Sequence, residues 1–421
     1  MRNDRGIMDR RTFVTRATGA IAAAAALPAM GRSAESAKPL RIALIGCGGR
    51  GNHHLRTIAG LRTAGEAVEI AGACDIYRPR AENTAKAHGV KWTMKHTEIL
   101  SDPSIDAVCI ATTDHTHGPL AIDAIRAGKD VYCEKPLTHW RQFEVAKLLW
   151  QEVKRTGRVL QLGTQGLSDR AWHQAADIIK AGDIGQPIHA ECGYFRVGDW
   201  GERGMPIDDP QAKPGADLNW EAFLGDSPKR EFDVSRFFRW RMYEDYAGGP
   251  VTDLFPHSLA PVVHMLGVGM PALVAATGGK YRYQEREVPD TFNMLIDYPQ
   301  GITVAVLGTQ ANDFSTTALR GAGGRSPVIR GWEATLTIEG NDLVVRPIQG
   351  IAKPEKRVPI SRGESEPEHW KDFFACIRSR AVPEASIDLG FRVQTATQMG
   401  MLSLRERKTI LFDEKAMQIR L

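Results

Sequence analysis

From Leu40 onward the chain alternates between short apolar runs and longer stretches of helical spacing. "LRIALIG" is largely apolar, which suits a parallel strand covered on both faces rather than a strand with one wet side. Runs of the same kind recur at "AVEIAGACD", "IDAVCIATT", "DVYCEKP" and "VLQLGTQ". Helical stretches over 119–127 and 141–156 separate the last three, and Gly128 and Gly157 stand where helix C-caps belong. Strands alternating with helices predict a doubly wound Rossmann sheet over residues 38–163.

Beyond residue 163 the pattern changes. A helix over 172–180 leads into the strand "IHAECGYF" and then into an irregular stretch, 196–248, rich in Gly, Pro, Trp and Arg. The spacing predicts a helix over 251–266, with Pro256 and Pro261 as points of kinking. The runs "ALVAATGG", "TFNMLIDYP", "ITVAVLGTQ", "ATLTIEG" and "DLVVRP" then follow closely, without helices between them, and predict an antiparallel sheet. Helices over 368–380 and 389–405 come last. The expected fold class is α/β: a doubly wound Rossmann domain, then an α+β domain with a large, mostly antiparallel sheet over 164–421. The terminal helices of that second domain are free to pack back on the first.

Residues 1–37 read differently. "MDRRTFVTRATGAIAAAAALPAMG" holds the pair Arg10 and Arg11, then Phe13, then an Ala-rich run too short for the roughly 20 residues of a membrane span. It resembles a twin-arginine export signal with a short linker, cleaved after Gly31 or near Ala34 or Ala37. The expectation is a periplasmic or otherwise exported protein that crosses already folded, with no stable membrane insertion. The same leader carries five arginines against two aspartates within residues 1–31, so it accounts for most of the formal net charge of +4. The remainder has no Lys/Arg block of the kind a polyanion needs, and no nucleic-acid partner is expected. With 43% hydrophobic and 25% charged residues the chain is an ordinary globular one. Its six cysteines are scattered, without CxxC or metal-ligand spacing, and read as small core residues; no metal is expected.

The chemistry begins at "IALIGCGGRG". Gly46, Gly48 and Gly51 form a G-x-G-x-x-G array straight after the first strand, where backbone N–H groups can approach a pyrophosphate at a helix N-terminus. Asp75 ends the second strand; a carboxylate there binds the adenosine ribose and repels a 2′-phosphate, so NAD is favoured over NADP. Arg50 and Arg78 are the guanidinium groups that could tolerate that phosphate, and Arg50 is counted with the cofactor loop. At the carboxyl end of the next strand, Thr112, His115 and His117 are assigned to the ribose or nicotinamide, with Asp114 as a helix cap. In "DVYCEKPL" Glu134 and Lys135 emerge from a buried strand, and Pro136 restricts the backbone of Lys135. Asp253 and His257, four apart on a predicted helix, share a face, so the carboxylate can orient the imidazole. Arg239, Trp240 and Tyr243, with Tyr194, Arg196 and Trp200 upstream, are either a saccharide-binding wall or a core under a long loop.

Taken in order, "GCGGRG", "DAVCIATTDHTH", "CEKPL", "GTQ" at 163–165 and "GGPVTDLFPH" resemble the glucose–fructose oxidoreductase/inositol dehydrogenase/MocA (Gfo/Idh/MocA) family over about residues 40–300. The resemblance implies NAD(P)-dependent oxidation or reduction of ring hydroxyls, and a homo-oligomer formed through the second-domain sheet. It makes Lys135 the active-site lysine and sets Glu134 near the nicotinamide ribose. It puts Gln165 with the cofactor and matches Asp253 and His257 to the family's D-x-x-x-H pair. Members often carry an Asp three residues after that histidine; here the position is Ala260.

The expected protein is an exported oxidoreductase with tightly held NAD, oxidising a ring hydroxyl of a sugar, glycoside (with C3 a candidate carbon) or cyclitol. His257 serves as base and acid, Lys135 as polariser or relay partner and Asp253 as orienter. Two other readings are an NAD-dependent glycoside hydrolase working by oxidation, elimination and re-reduction, and a non-catalytic sugar or nucleotide sensor.

Overall fold

Six apolar runs pair side by side: Leu40–Ile45 (β1), Val68–Cys74 (β2), Lys91–Thr93 (β3), Ala107–Ile110 (β4), Asp130–Glu134 (β5) and Leu160–Gly163 (β6). A computed structural model describes residues 38–197, 205–314, 324–361 and 365–421; the leader and Trp200 lie outside the described residues. The six strands are all parallel, in the order β3-β2-β1-β4-β5-β6. Every residue of β4, β5 and β6 is buried, as continuous apolar runs require when helices cover both faces. The order reverses between β1 and β4, and the crevice beyond their carboxyl ends is where such sheets bind ligands.

Helices Gly49–Thr63 (α1), Arg78–His88 (α2), His96–Ser101 (α3), Asp114–Arg126 (α4) and Phe143–Thr156 (α5) connect these strands. α4 starts five residues earlier than its sequence pattern indicated, with Pro119 inside it. Pro119 has no N–H to offer the His115 carbonyl, and Gln142 Nε2 donates to that carbonyl instead, at 2.9 Å.

After Arg170–Lys180 (α6), the strand Pro187–Phe195 (β7) opens a second sheet. It continues with Leu273–Gly279 (β8), Thr291–Tyr298 (β9), Ile302–Thr309 (β10), Gly324–Gly331 (β11), Ala334–Glu339 (β12), Asp342–Pro347 (β13) and Lys356–Pro359 (β14). Ile410–Asp413 (β15) and Gln418–Arg420 (β16) complete ten strands in the order β14-β13-β12-β11-β7-β10-β9-β8-β15-β16. Among these pairings only β7 with β10 is parallel. β3 and β14 to β16 are too short to read from sequence, and β11, "GRSPVIRG", shows no alternation of apolar and polar positions.

The irregular stretch forms two single-turn helices, Trp220–Leu224 (α7) and Val234–Phe238 (α8), around an aromatic cluster of its own. Trp220, Phe223, Phe237, Phe238 and Tyr246 gather about Tyr77, just past β2, and Tyr77 bridges to Leu218. This segment therefore lies across the carboxyl end of the parallel sheet.

The helix expected over 251–266 is two helices, Pro250–Asp253 (α9) and Phe255–Leu266 (α10), joined at Leu254. Pro256 cannot donate to the Thr252 carbonyl, so the helical ladder breaks there. Of the last two helices, Ser365–Ser379 (α11) returns to the first sheet, where Trp370, Phe373 and Phe374 are buried with Ile42, Leu44 and Tyr132. Ile387–Glu406 (α12) packs against β8 and α5. Ala260 of α10 is fully buried, and all six cysteines are buried with no disulfide between them. Among the described residues no helix is long and apolar enough to cross a membrane.

Candidate active site

A cavity of about 1690 Å³ runs from the glycine loop to the junction of α9 and α10. Gly46 adopts φ +99°, and a Cβ on it would lie 2.5 Å from the Ala111 carbonyl oxygen. At Gly51 a Cβ would lie 2.0 Å from the Gly46 carbonyl oxygen, so Gly51 lies under the loop while Gly46, Gly48 and Arg50 face the cavity. α1 begins without a side-chain cap and without an acidic residue in its first turn, which leaves its N-terminal amides for an anion. Asp75 lines the same space. Its Oδ2 accepts from Cys47 N at 2.7 Å and its Oδ1 from Tyr77 N at 2.8 Å; burial pushes its carboxyl above the usual range, against the pull of Arg80.

Arg80, rather than Arg78, is the guanidinium beside Asp75; it pairs with Asp208 at 2.6 Å. Arg78 pairs with Asp217 instead, also at 2.6 Å. Thr112, His115 and Gln165 line the cavity as well. His115 Nε2 is held 2.6 Å from the Phe223 carbonyl, while its Nδ1 and Gln165 Oε1 are buried with no hydrogen-bond partner among the described residues. Uncapped helix amides, a ribose-positioned carboxylate and orphaned polar atoms around one groove fit a dinucleotide, with its pyrophosphate at α1 and its adenosine ribose at Asp75.

Two residues assigned to the cofactor are placed elsewhere. His117 lies beneath the cavity, its Nδ1 2.7 Å from the Pro136 carbonyl. Glu134 is 4% exposed and bonded to Arg50 and His54 rather than facing the groove. Both serve the segment that follows β5, where the Lys135–Pro136 peptide is cis.

Lys135 emerges from that segment into the cavity. Its ammonium donates to Asp253 Oδ1 at 2.9 Å and to the Asp253 carbonyl at 2.5 Å. Burial alone would raise the Asp253 carboxyl, but Lys135 and then Arg241 hold it far below the usual range. His257 faces the same space from the first turn of α10. Burial and then the Lys135 ammonium push its ring down to about 3, so the imidazole is neutral. Because the helix breaks at Leu254, Asp253 and His257 do not share a continuous helical face. The His257 ring makes no hydrogen bond among the described residues, and the Asp253 carboxylate is turned to Lys135.

The proposed saccharide wall divides. Tyr194, Arg196 and Trp240 line the cavity. Arg239 turns to the Met205 carbonyl at 3.0 Å, and Tyr243 to Ser235 Oγ at 2.8 Å, with Arg236 over its ring. Phe237, Phe238 and Tyr246 are the core beneath.

Three contributors escaped the sequence. Arg241 stacks on Trp240 at 4.2 Å and donates to Asp253 Oδ1 at 3.2 Å; "RWR" alone does not say which arginine turns inward. Asp114 is a buried carboxylate rather than a cap, and burial pushes it up to about 7 against the pull of Arg241 and Lys135. Trp172, at the start of α6, presents part of its indole to the cavity.

A Rossmann sheet with an open anion site and a lysine at the end of β5, joined to an antiparallel domain that supplies that lysine's aspartate partner and a neutral histidine, defines a dinucleotide-dependent oxidoreductase class. The chain belongs to the Gfo/Idh/MocA family: residues 40–164 match its oxidoreductase, NAD-binding Rossmann fold, and residues 222–329 its C-terminal domain. Over 151 residues it is 36% identical to scyllo-inositol 2-dehydrogenase (NAD(+)) of Bacillus subtilis, a match covering 36% of this chain and 43% of that protein. The chain thus spans under half the length of the curated relative. Among solved structures, levoglucosan dehydrogenase in complex with NADH and levoglucosan superposes with a TM-score of 0.69 at 20% identity, covering 89% of this chain and 99% of that one. An aldose-aldose oxidoreductase from Caulobacter crescentus, complexed with glycerol, gives 0.66 at 18% identity, covering 89% and 100%. At these identities the two structures bear on the fold.

Proposed function

We propose that this protein is an exported NAD-dependent dehydrogenase that oxidises a ring hydroxyl of a sugar, glycoside or cyclitol. The observation that carries this reading is the convergence of Lys135, Asp253 and His257 in the cavity that also holds the glycine loop. Oxidising a secondary alcohol moves a hydride off carbon and a proton off oxygen. Bound NAD supplies the hydride-accepting ring. The neutral His257 ring has a lone pair to take the hydroxyl proton. The Lys135 ammonium, fixed by Asp253, polarises the same oxygen as it becomes a carbonyl. Trp240, Tyr194 and Trp172 offer rings to the sugar's C–H faces, and Arg196 and Arg241 offer donors to its hydroxyls. Likeness to an inositol dehydrogenase in the cofactor half supports the cyclitol and sugar class.

Export rests on the paired arginines at 10 and 11. An exported enzyme has to keep its cofactor, and the segment across the sheet's carboxyl end supports retention: Asp208 reaches Arg80, and the Phe223 carbonyl reaches His115. The outward face of β9, with Leu295 exposed between Asn293 and Asp297, is the surface proposed to meet a second copy.

The test is to denature the purified protein, assay released nucleotide, and incubate native protein with a panel of sugars, chromogenic glycosides and cyclitols. Bound NAD and NADH formed with one of them is the expected result. Chromophore release without net NADH would make the protein a hydrolase, and neither bound nor bindable NAD would overturn both enzyme readings.

A further inference from the structure

Arg50 sits in the first turn of α1, at the phosphate-binding loop, yet its guanidinium is committed to two carboxylates. Nε donates to Glu134 Oε1 at 2.7 Å, and Nη2 donates to both oxygens of Glu366, at 2.9 and 3.2 Å. His54, one turn along α1 and fully buried, stands between the same two acids: Nε2 is 2.8 Å from Glu134 Oε1, and Nδ1 is 3.3 Å from Glu366 Oε1. Trp370 Nε1 donates to His54 Nδ1 at 3.2 Å, which leaves Nε2–H to donate to Glu134. The second oxygen of Glu134 accepts from the backbone N–H of Lys135 at 3.2 Å.

These contacts join three elements that are far apart in sequence. Arg50 and His54 come from α1, Glu134 and Lys135 from the end of β5, and Glu366 and Trp370 from α11. Trp370 also stacks on Tyr132 of β5, ring centroids 4.2 Å apart and planes within 11°. A buried carboxylate without cations would be costly. Burial opposes ionisation of Glu134, and Arg50 followed by His54 overcomes it, holding the carboxyl well below the usual range. Glu366 in turn decides where Arg50 points. The guanidinium fork lies flat against two acids only while both are present, and without Glu366 its Nη2 is released towards the open groove.

We propose that Glu366 is a positioning residue: through Arg50 it aligns Glu134, and through Glu134 it aligns the backbone of Lys135, so docking of α11 sets the place of the catalytic ammonium. This rests on the dehydrogenase reading. Glu366 touches neither Lys135 nor the reacting groups, so its effect passes through Glu134.

The test uses the full chain and four variants: Glu366→Gln, Glu366→Asp, Glu134→Gln and the double Glu366→Gln/Glu134→Gln. NAD affinity is measured by calorimetry, turnover with the best sugar, and thermal unfolding alongside. Glu366→Gln is expected to lower kcat about tenfold, the scale of a lost hydrogen bond to a charged group, with KM for the sugar and NAD affinity changed less than threefold. Glu366→Asp, which keeps the charge, recovers most of the rate. The double variant is no slower than Glu134→Gln alone, because both changes break one chain of contacts. Additive losses, or a kcat within twofold of the parent, would overturn the positioning role. If Glu366→Gln does not fold, Glu134→Gln decides it: a kcat within twofold of the parent there breaks the chain of contacts and overturns the positioning role. Parent protein that binds no NAD would instead overturn the functional reading itself.

Discussion

The Lys135 ammonium donates to both the carboxylate and the backbone carbonyl of Asp253, tying the end of a parallel strand to the break between two helices. One of those bonds exists only because the ladder of α9 and α10 is interrupted, leaving the Asp253 carbonyl free to accept it. The pair is largely withdrawn from water, with 9% and 18% of the two side chains exposed.

Lys135→Ala is expected to slow hydride transfer at least about a hundredfold, the usual scale for an acid–base group. It leaves Asp253 with Arg241 as its remaining cation at contact distance, so the Asp253 carboxyl rises. Stopped-flow measurement of NADH formation with the cofactor-loaded enzyme checks the rate; a variant within tenfold of the parent would remove Lys135 from the chemistry.

The histidines set an acid limit on stability. Burial pushes His115, His117 and His369 down to about 4, and His139 and His257 to about 3. The unfolded chain protonates these rings near 6.5, so below that pH the unfolded state binds more protons and is favoured. Each ring's contribution to stability is present in full above 6.5 and is lost as pH falls towards 3–4, with a slope of up to about 1.4 kcal/mol per pH unit. Urea midpoints should be level above pH 7 and drop steeply between 6.5 and 4.5. A flat profile would contradict the burial of these rings.

Asp114 runs in the opposite sense. Its folded carboxyl titrates at about 7 against an ordinary value near 3.9, so the native state binds the extra proton between these limits and loses stability as pH rises through them. Asp114→Asn should therefore be more stable than the parent at pH 8 and gain little at pH 4. With the carboxylate gone from beside Arg241 and Lys135, the activity profile should also lose an inflection near pH 7. Paired pH–rate and melting curves test both effects.

Asp75→Ser removes the carboxylate proposed to bind the adenosine ribose while Arg80 stays close by. NAD affinity should fall about tenfold or more and the preference over NADP shrink, because a repulsive charge is exchanged for a neutral hydroxyl beside a guanidinium. Titrating both nucleotides into the variant by calorimetry checks this; an unchanged ratio would place the ribose elsewhere.

Strand and loop chemistry were legible because they are local. Apolar runs bounded by glycine marked β1, β2, β4, β5 and β6, and Gly46, Gly48, Gly51 and Asp75 lie where a dinucleotide loop requires them. Lys135, Asp253 and His257 were named from short motifs and do meet in one cavity. Which arginine of "RFFRWR" turns inward was not legible. In a short irregular segment that choice follows from the acceptors on offer: the Met205 carbonyl takes Arg239 and Asp253 takes Arg241. Glu134, by the family resemblance, and His117, by its position after a strand, read as cofactor ligands, yet neither lines the cavity: Glu134 is held by Arg50 and His117 by the Pro136 carbonyl.

The sequence by itself determined the alternation of elements, the glycine loop and the short motifs that nominate Lys135, Asp253 and His257, since periodicity, turn chemistry and proline restriction act over a few neighbours. Only the tertiary structure decided the neutral state of His257 and the raised carboxyl of Asp114. It also decided the grip of Glu366 on Arg50 across 316 positions of chain. Charge state and side-chain direction depend on burial and on partners brought together from distant segments, and neither is written in the residues beside them.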